Sequence, residues 1–299
     1  MFTNTVQPNI ISLFSSTSSE PLSLFSQQTD ESLAADSFIH FLNDASSLPP
    51  PSPPAVLCSM PALDDRDELN IGYGLYQTVL HIQSPTLRMT FIRSPPITDP
   101  GDRDLGLKHK WLHLQVRNVG REWSFDIGIV DKSGRRGVVR CSTFQVHDVY
   151  DFPRSSESIF DADHSVIYAH LLTSSYQKEP KLAISPVPNA QPVLHLPLSF
   201  PQPSSRPLTA WSTITLNLPS LIPHFSTLAG MHQLDDGEGG RHDINRPVTL
   251  SAINTPVPSG TYSHLSYIKI YATCRLRRIW LSDLLSDSQV PWEFELYGT

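Results

Sequence analysis

The chain has 299 residues, a formal net charge of −7 at neutral pH, 39% apolar residues, and 27 prolines against 14 glycines. Its length allows one large domain or two small ones. The acidic surplus argues against nonspecific binding to nucleic acids and against docking on anionic membranes, because both need a basic surface. Because proline breaks helices and central strands, we expect much of the chain to be loop.

The ends and the cysteines point to an intracellular protein. The N-terminus lacks a basic region followed by an apolar run, and no apolar run is long enough to span a membrane, so we expect neither a signal peptide nor a transmembrane helix. The cysteines Cys58, Cys141 and Cys274 are far apart and odd in number. Reduced thiols in a cytosolic or nuclear protein are the expectation.

The first part of the chain alternates between strand-like and loop-like stretches. Residues 1–29 predict two short strands around a turn over Ser15–Glu20. The apolar residues of Asp30–Asn43 are spaced as in a short helix, and a proline tract over Leu48–Pro54 follows. We therefore predict a disordered or loosely packed insertion over residues 30–68, in which the proline tract is a plain linker or a docking peptide.

The middle of the chain predicts a series of short strands that end at a second insertion. Their apolar residues alternate with polar ones, which is typical of half-buried strands. The predicted strands are Tyr76–Ile82, Leu87–Phe91, Leu112–Val116, Trp123–Ile129 and Val138–Phe144. Asp131–Gly134 predicts a hairpin turn between the last two. Residues 147–192, charged and rich in serine, are the second predicted insertion.

The last part predicts an edge strand at Val193–Leu198, a strand at Trp211–Leu218, a helical turn at Pro219–Phe225, and a third insertion over residues 230–260. From Leu265 the apolar residues alternate again, and a phase slip at Arg277–Arg278 predicts a bulge or bend. Many short strands without a long helix indicate an all-β protein. We predict one antiparallel, jelly-roll-like β-sandwich over residues 1–299, with short helical turns and the three long insertions.

Several blocks of the sequence resemble one known family. Ala272–Asp283 carries a small residue, then Cys-Arg, an aliphatic residue, Arg-Arg and a closing Ser-Asp, and Val290–Tyr297 carries Pro, acidic, Phe and Leu-Tyr positions. Further blocks follow in the family's order: Met1–Gln7, Glu20–Leu22, Asp104–Leu107, Trp123–Phe125, Arg135–Arg136, Ser142–Gln145 and Trp211–Leu218. The chain resembles the cilia- and flagella-associated protein 20 family.

The resemblance implies a β-sandwich protein without enzymatic activity and without a cofactor. Family members are associated with the inner junction of ciliary doublet microtubules, where they contact tubulin and junction proteins, and nuclear roles are also associated with them. The implied location is the cytoplasm or cytoskeleton, a cilium or flagellum where the organism has one, or the nucleus. Typical members are compact and basic, whereas this chain is acidic and longer. A soluble binding module for a protein or glycan, unrelated to cilia, is therefore the alternative.

Five arginines are the candidate partner-binding residues: Arg135, Arg136, Arg275, Arg277 and Arg278. If Cys274 and Leu276 point into the core, the alternation of a strand sends their neighbours outward. Arg135 and Arg136 flank a hairpin turn, where side chains are exposed. Guanidinium groups suit carboxylates, so these arginines form either a docking patch for an acidic protein such as tubulin or internal salt bridges.

No pattern predicts a metal, catalytic or small-molecule site. His109 and His113 have the spacing of a helical zinc pair, but on a strand four residues span roughly 13 Å. Asp99, Asp102 and Asp104 in one loop and Asp235–Glu238 in another lack a calcium-binding pattern. Candidate aromatics for a glycan are Tyr267 and Tyr271, for which packing beneath an insertion is the alternative.

Overall fold

The structure is a computed structural model that describes residue 2 and residues 5–50, 76–96, 104–144, 166–168, 179–185, 190–200, 210–235, 256–284 and 291–294. Several predicted features lie outside these described residues: Cys58, Asp99, Asp102, Glu238 and most of the proline tract. Within them, the prediction of an all-β sandwich is confirmed.

The described residues form fourteen strands and one α-helix. The strands are β1 (Ile10–Ser15), β2 (Ser26–Gln28), β3 (Phe38–Asn43), β4 (Thr78–Gln83), β5 (Phe91–Ser94), β6 (Trp111–Asn118), β7 (Ser124–Asp131), β8 (Arg136–Ser142), β9 (Val166–Tyr168), β10 (Lys181–Ala183), β11 (Val193–Pro197), β12 (Trp211–Asn217), β13 (Tyr262–Tyr271) and β14 (Cys274–Ser282). The α-helix is α1 (Leu218–Asp235), and 3-10 turns cover Glu31–Leu33 and Trp292–Phe294.

The strands form two sheets of seven. Sheet A has the order β3-β4-β14-β6-β12-β9, with β1 also paired to β14, and sheet B has the order β10-β11-β8-β7-β13-β5-β2. Most pairs are antiparallel, as predicted, but β11 runs parallel to β8 and β9 runs parallel to β12. Apolar side chains from both sheets form one buried cluster, which makes the molecule a sandwich.

The chain crosses between the sheets just after β13. The strand β13 lies between β7 and β5 in sheet B, and β14 lies in sheet A, with only Ala272 and Thr273 between them. The predicted bulge is confirmed, because the register of β14 against β6 shifts between Leu276 and Arg278. The break at Ala272 was not predicted, since the alternation of apolar residues continues through it.

The helix predicted over Asp30–Asn43 is wrong. This stretch contains a 3-10 turn at Glu31–Leu33 and then β3, which pairs with β4 along its whole length. Pairing with a neighbouring strand overrides a weak helical spacing. The strand lies inside the segment predicted as an insertion. The single domain and the three insertions with their boundaries stay predictions.

The helix α1 is longer than the predicted turn at Pro219–Phe225. Asn217 precedes it, and its side-chain oxygen accepts a hydrogen bond from the Ser220 amide, as an N-cap residue does. Leu218, Leu221, Ile222 and Phe225 follow the spacing of an apolar helix face and are buried in the core. The strand predicted at Val193–Leu198 is present as β11, but β10 and not β11 is the edge strand. In the described part of the chain, no helix is long and apolar enough to cross a membrane.

Gly128 leaves room for the Tyr267 ring to pack closely against the outer face of sheet B. A Cβ atom at this position would come within 2.3 Å of the Tyr267 ring and of the Ser266 hydroxyl. We predict that Gly128→Ala lowers the free energy of unfolding by about 1–3 kcal/mol, because the added methyl group overpacks a filled space. Chemical denaturation checks this. The control, Ala183→Val on the exposed edge strand β10, should change it little, and equal effects of both would contradict the prediction.

Candidate protein interface

A line of polar side chains crosses all seven strands of sheet B. Cross-strand pairing joins, in order, Lys181, His195, Arg140, Asp126, Lys269, Arg93 and Ser26. Residues paired across strands point to the same side of a sheet. The adjacent residues Ile92, Ile127 and Ile268 are fully buried in the core, so the line faces outward. We call these seven residues the basic row.

The basic row concentrates positive charge on a chain that is acidic as a whole. Strands lie about 4.8 Å apart, so seven of them carry the row over roughly 29 Å. Its charged members are Lys181, Arg140, Lys269 and Arg93 against a single carboxylate, Asp126. Such an array has a local field opposite to the net charge of −7.

Asp126 is neutralised within the row. Both of its carboxylate oxygens accept hydrogen bonds of 2.7 Å from the Arg140 guanidinium, and the Tyr271 hydroxyl donates a third of 2.9 Å. The bond to Asp126 raises the pKa of Arg140, and burial together with the Asp126 charge raises the pKa of Tyr271. Because Arg140 and Asp126 cancel, the cations at the two ends of the row set the potential of the face.

Aromatic rings hold two of these cations in place. The Lys269 ammonium lies 3.5 Å from the centroid of the Phe91 ring and 4.6 Å from that of Tyr271, and the Arg93 guanidinium lies 4.9 Å from that of Tyr267. Burial lowers the pKa of Lys269, while the Asp126 carboxylate opposes that shift. Lys269 and Arg93 remain partly exposed. Cation–π contacts thus fix their head groups where a ligand can reach them.

A second group of charges lies on the same face, nearer the hairpin turn. Arg136 and His264 are both paired with Val130, and both contact the Asp104 carboxylate, at 3.3 and 2.9 Å. Burial tends to raise the pKa of Asp104, but the hydrogen bond and charge of His264 hold it below its ordinary value. Arg135, in the turn, donates to the Ser259 hydroxyl and to the Val257 carbonyl. The predicted residues Arg135 and Arg136 therefore lie at the end of sheet B.

The other three predicted arginines lie in sheet A and have internal contacts. The Arg275 guanidinium donates to the Asp44 carboxylate at 2.7 Å, and Arg117 donates to the same carboxylate oxygen at 3.0 Å. The Trp211 indole donates to the second oxygen at 2.7 Å. Asp44 is buried, so this arrangement is the internal salt bridge that the sequence left open for Arg275.

Arg277 and Arg278 hold the C-terminal turn on the outer face of sheet A. Arg277 points away from the sheet face that buries Leu276, as the alternation predicts, but it is only 4% exposed because this turn covers it. It donates to Gln77 at 2.6 Å, to Gln115, and to the Glu293 carbonyl at 3.3 Å. The Arg278 guanidinium lies 4.5 Å from the centroid of the Phe294 ring. The bulge places both arginines against this turn, which strict alternation could not predict.

The structure thus does not assemble the five predicted arginines into one patch, since Arg135 and Arg136 belong to the sheet B side and the other three to sheet A. Whether any of them binds a partner stays a prediction. The basic row was missed because its members come from seven strands, and cross-strand register is not visible in a sequence. The available signal was a single charge within each apolar alternation, as in Phe125-Asp126-Ile127 and Val139-Arg140-Cys141.

The remaining predicted candidates have structural contacts. The His109 ring bonds to the Pro8 carbonyl at 2.7 Å, and His113 lies between the Thr215 and Ser282 hydroxyls at 3.0 and 2.9 Å. Among the described residues, no three His, Cys, Asp or Glu side chains are arranged to hold a metal ion. Cys141 and Cys274 are buried free thiols whose pKa burial raises.

A family comparison adds to this geometry. Residues 73–152 match the family model of the CFA20 domain. The predicted family resemblance is therefore confirmed over these 80 of the 299 residues. The CFA20 match runs from before β4 to beyond β8 and contains Arg93, Asp126 and Arg140 of the basic row, whereas Lys181, His195 and Lys269 lie outside it. It suggests a family of cilia-associated proteins. Comparison with curated proteins finds no match to the chain.

The contacts of Arg277 predict a structural role that a replacement can measure. Arg277→Met leaves the buried acceptors on Gln77 and Gln115 without their donor. We expect the free energy of unfolding to fall by about 3 kcal/mol, since each unsatisfied buried group costs about 1–3 kcal/mol. Urea denaturation measures the change. The exposed Arg88 supplies the control, and Arg88→Met should leave stability nearly unchanged. A stable Arg277→Met protein would show that these contacts do not support the fold.

His113 predicts a loss of stability in mild acid. Burial lowers its pKa from 6.5 to about 4. Below pH 6.5 the unfolded chain binds a proton at His113, whereas the folded chain does not. The stability that neutral His113 contributes is therefore present in full above pH 6.5 and is lost as the pH falls toward 4. The loss amounts to roughly 3 kcal/mol. Denaturation of the wild type and His113→Gln across this range tests it: the variant should lose stability less steeply, and equal slopes would contradict the assignment.

Proposed function

We propose that the chain is a non-enzymatic interaction protein that binds an acidic protein surface, tubulin or a protein associated with it, in a cilium or at the cytoskeleton. The observation that carries the proposal is the basic row on the outer face of sheet B. The CFA20 match supports the ciliary setting, because it suggests a cilia-associated family. The acidic net charge argues against a protein that coats microtubules with an overall basic surface. It is compatible with one local basic face.

The energetics favour a protein partner of opposite charge over an internal role for the row. Lys181 is exposed on the edge strand, and Arg93 and Lys269 are partly exposed at the other end of the row. Complementary charges raise association rates and orient a partner, even where each exposed pair contributes at most about 1 kcal/mol. Several pairs along one row together give an orientation that a single pair cannot.

A glycan-binding module is supported less well. Sugar binding by a β-sandwich face needs aromatic rings with a free surface. The Tyr271 ring is buried, and its hydroxyl donates to Asp126. The Tyr267 ring lies over Gly128 and also contacts the Arg93 guanidinium. Both predicted aromatics are thus already packed within the sheet face.

Co-sedimentation of the full chain with microtubules tests the proposal. We expect binding at low salt that weakens as salt rises, because exposed charges are screened. Arg93→Glu with Lys269→Glu should abolish the binding, since it places two negative charges on the row. The matched control is Arg121→Glu with Lys132→Glu, two exposed cations outside the row, which should bind like the wild type. Absence of wild-type binding, or equal loss in both variants, would contradict the proposal.

A further inference from the structure

The cations of the basic row lie along one line on the outer face of sheet B, separate from Arg136, which is paired with Asp104 near the hairpin turn. The neighbouring outward positions on one side of the row are Ala183, Val193, Val138, Gly128 and Tyr267, and those on the other side are Pro197, Ser142, Ser124, Tyr271, Phe91 and Gln28. None of these carries a charge at neutral pH. Within the seven strands, the basic row is therefore a narrow track bordered by uncharged side chains, and Glu179 lies just outside β10 beside Lys181.

The charges along this track fall into two groups. Lys181 forms one end, Lys269 and Arg93 form the other, and the ion pair of Arg140 and Asp126 lies between them. From Lys181 to Lys269 the track crosses four strand spacings, or roughly 19 Å, a distance that about six residues of extended peptide span. An extended chain with acidic residues six apart can thus reach both ends at once.

The chemistry of the track favours carboxylates over nucleic acid. Binding of single-stranded nucleic acid relies on aromatic rings that stack on bases, but Tyr267 and Tyr271 are engaged with Arg93 and Asp126. An acidic peptide needs no stacking surface, and its carboxylates suit the guanidinium and ammonium groups of the row.

We infer that the basic row binds an extended, glutamate-rich peptide segment that lies across the strands of sheet B. This inference rests on the proposed function and specifies its ligand: an unfolded acidic stretch of the partner and not a folded acidic surface. The fixed positions of Lys269 and Arg93 on their aromatic rings reduce the ordering that binding requires.

Fluorescence anisotropy of labelled decaglutamate with the full chain tests this inference. Arg93→Gln with Lys181→Gln removes one cation from each end of the track without touching the Arg140–Asp126 pair. We expect it to weaken peptide binding about tenfold, because two charge pairs together contribute on the order of 1.4 kcal/mol. Arg121→Gln with Lys132→Gln removes the same charge elsewhere and should change the affinity little. Thermal unfolding of both variants verifies that they are folded.

The outcomes separate the inference from the proposed function. Loss of binding in the row variant alone supports the inference. Equal binding by the row variant and the wild type overturns it, as does competition by oligothymidylate that is stronger than that by unlabelled decaglutamate. If the chain co-sediments with microtubules but does not bind decaglutamate, the inference fails and the proposed function stands. If it binds decaglutamate but no microtubules, the inference that the basic row binds an acidic peptide stands, and the proposed partner is wrong.

Discussion

The structure depends on the register of β13 against its two neighbours in sheet B. Ile268 and Ile270 enter the core only in this register, opposite Ile127 and Phe125 on β7 and Ser94 and Ile92 on β5. A slip of one residue would bury Lys269 and expose both isoleucines, because side chains alternate between the faces of a strand. The same register aligns Asp126, Lys269 and Arg93 into the basic row. Burial of the core therefore determines where the charges of the outer face lie.

The crossing after β13 divides the arginines between two roles. Because Ala272 and Thr273 carry the chain from sheet B to sheet A, the arginine-rich strand β14 that follows them packs in sheet A. There Arg275 shares the buried Asp44 with Arg117, and Arg277 and Arg278 bind the C-terminal turn. Arginines with internal contacts of this kind hold a fold together at a considerable desolvation cost.

The sequence predicted the fold class because alternation is a local property. The strands at Leu112–Val116 and Trp123–Ile129 and the turn at Asp131–Gly134 follow from residues a few positions apart, and Gly134 takes the positive φ that such a turn requires. The strand β3 was missed because its pairing with β4 joins distant segments. The basic row was missed for the same reason. The arginine cluster and its bulge were visible in the sequence, but the acceptors from distant segments that the arginines contact were not.

The central claim is that acidic partners contact the outer face of sheet B along the basic row. Zero-length cross-linking of carboxylates to lysines, with decaglutamate bound to the full chain and the products mapped by mass spectrometry, tests it most directly. Lys181 and Lys269 lie on the row, whereas Lys108, Lys110 and Lys132 do not and serve as internal controls. The account predicts cross-links at Lys181 and Lys269. Cross-links confined to Lys108, Lys110 and Lys132 would contradict it.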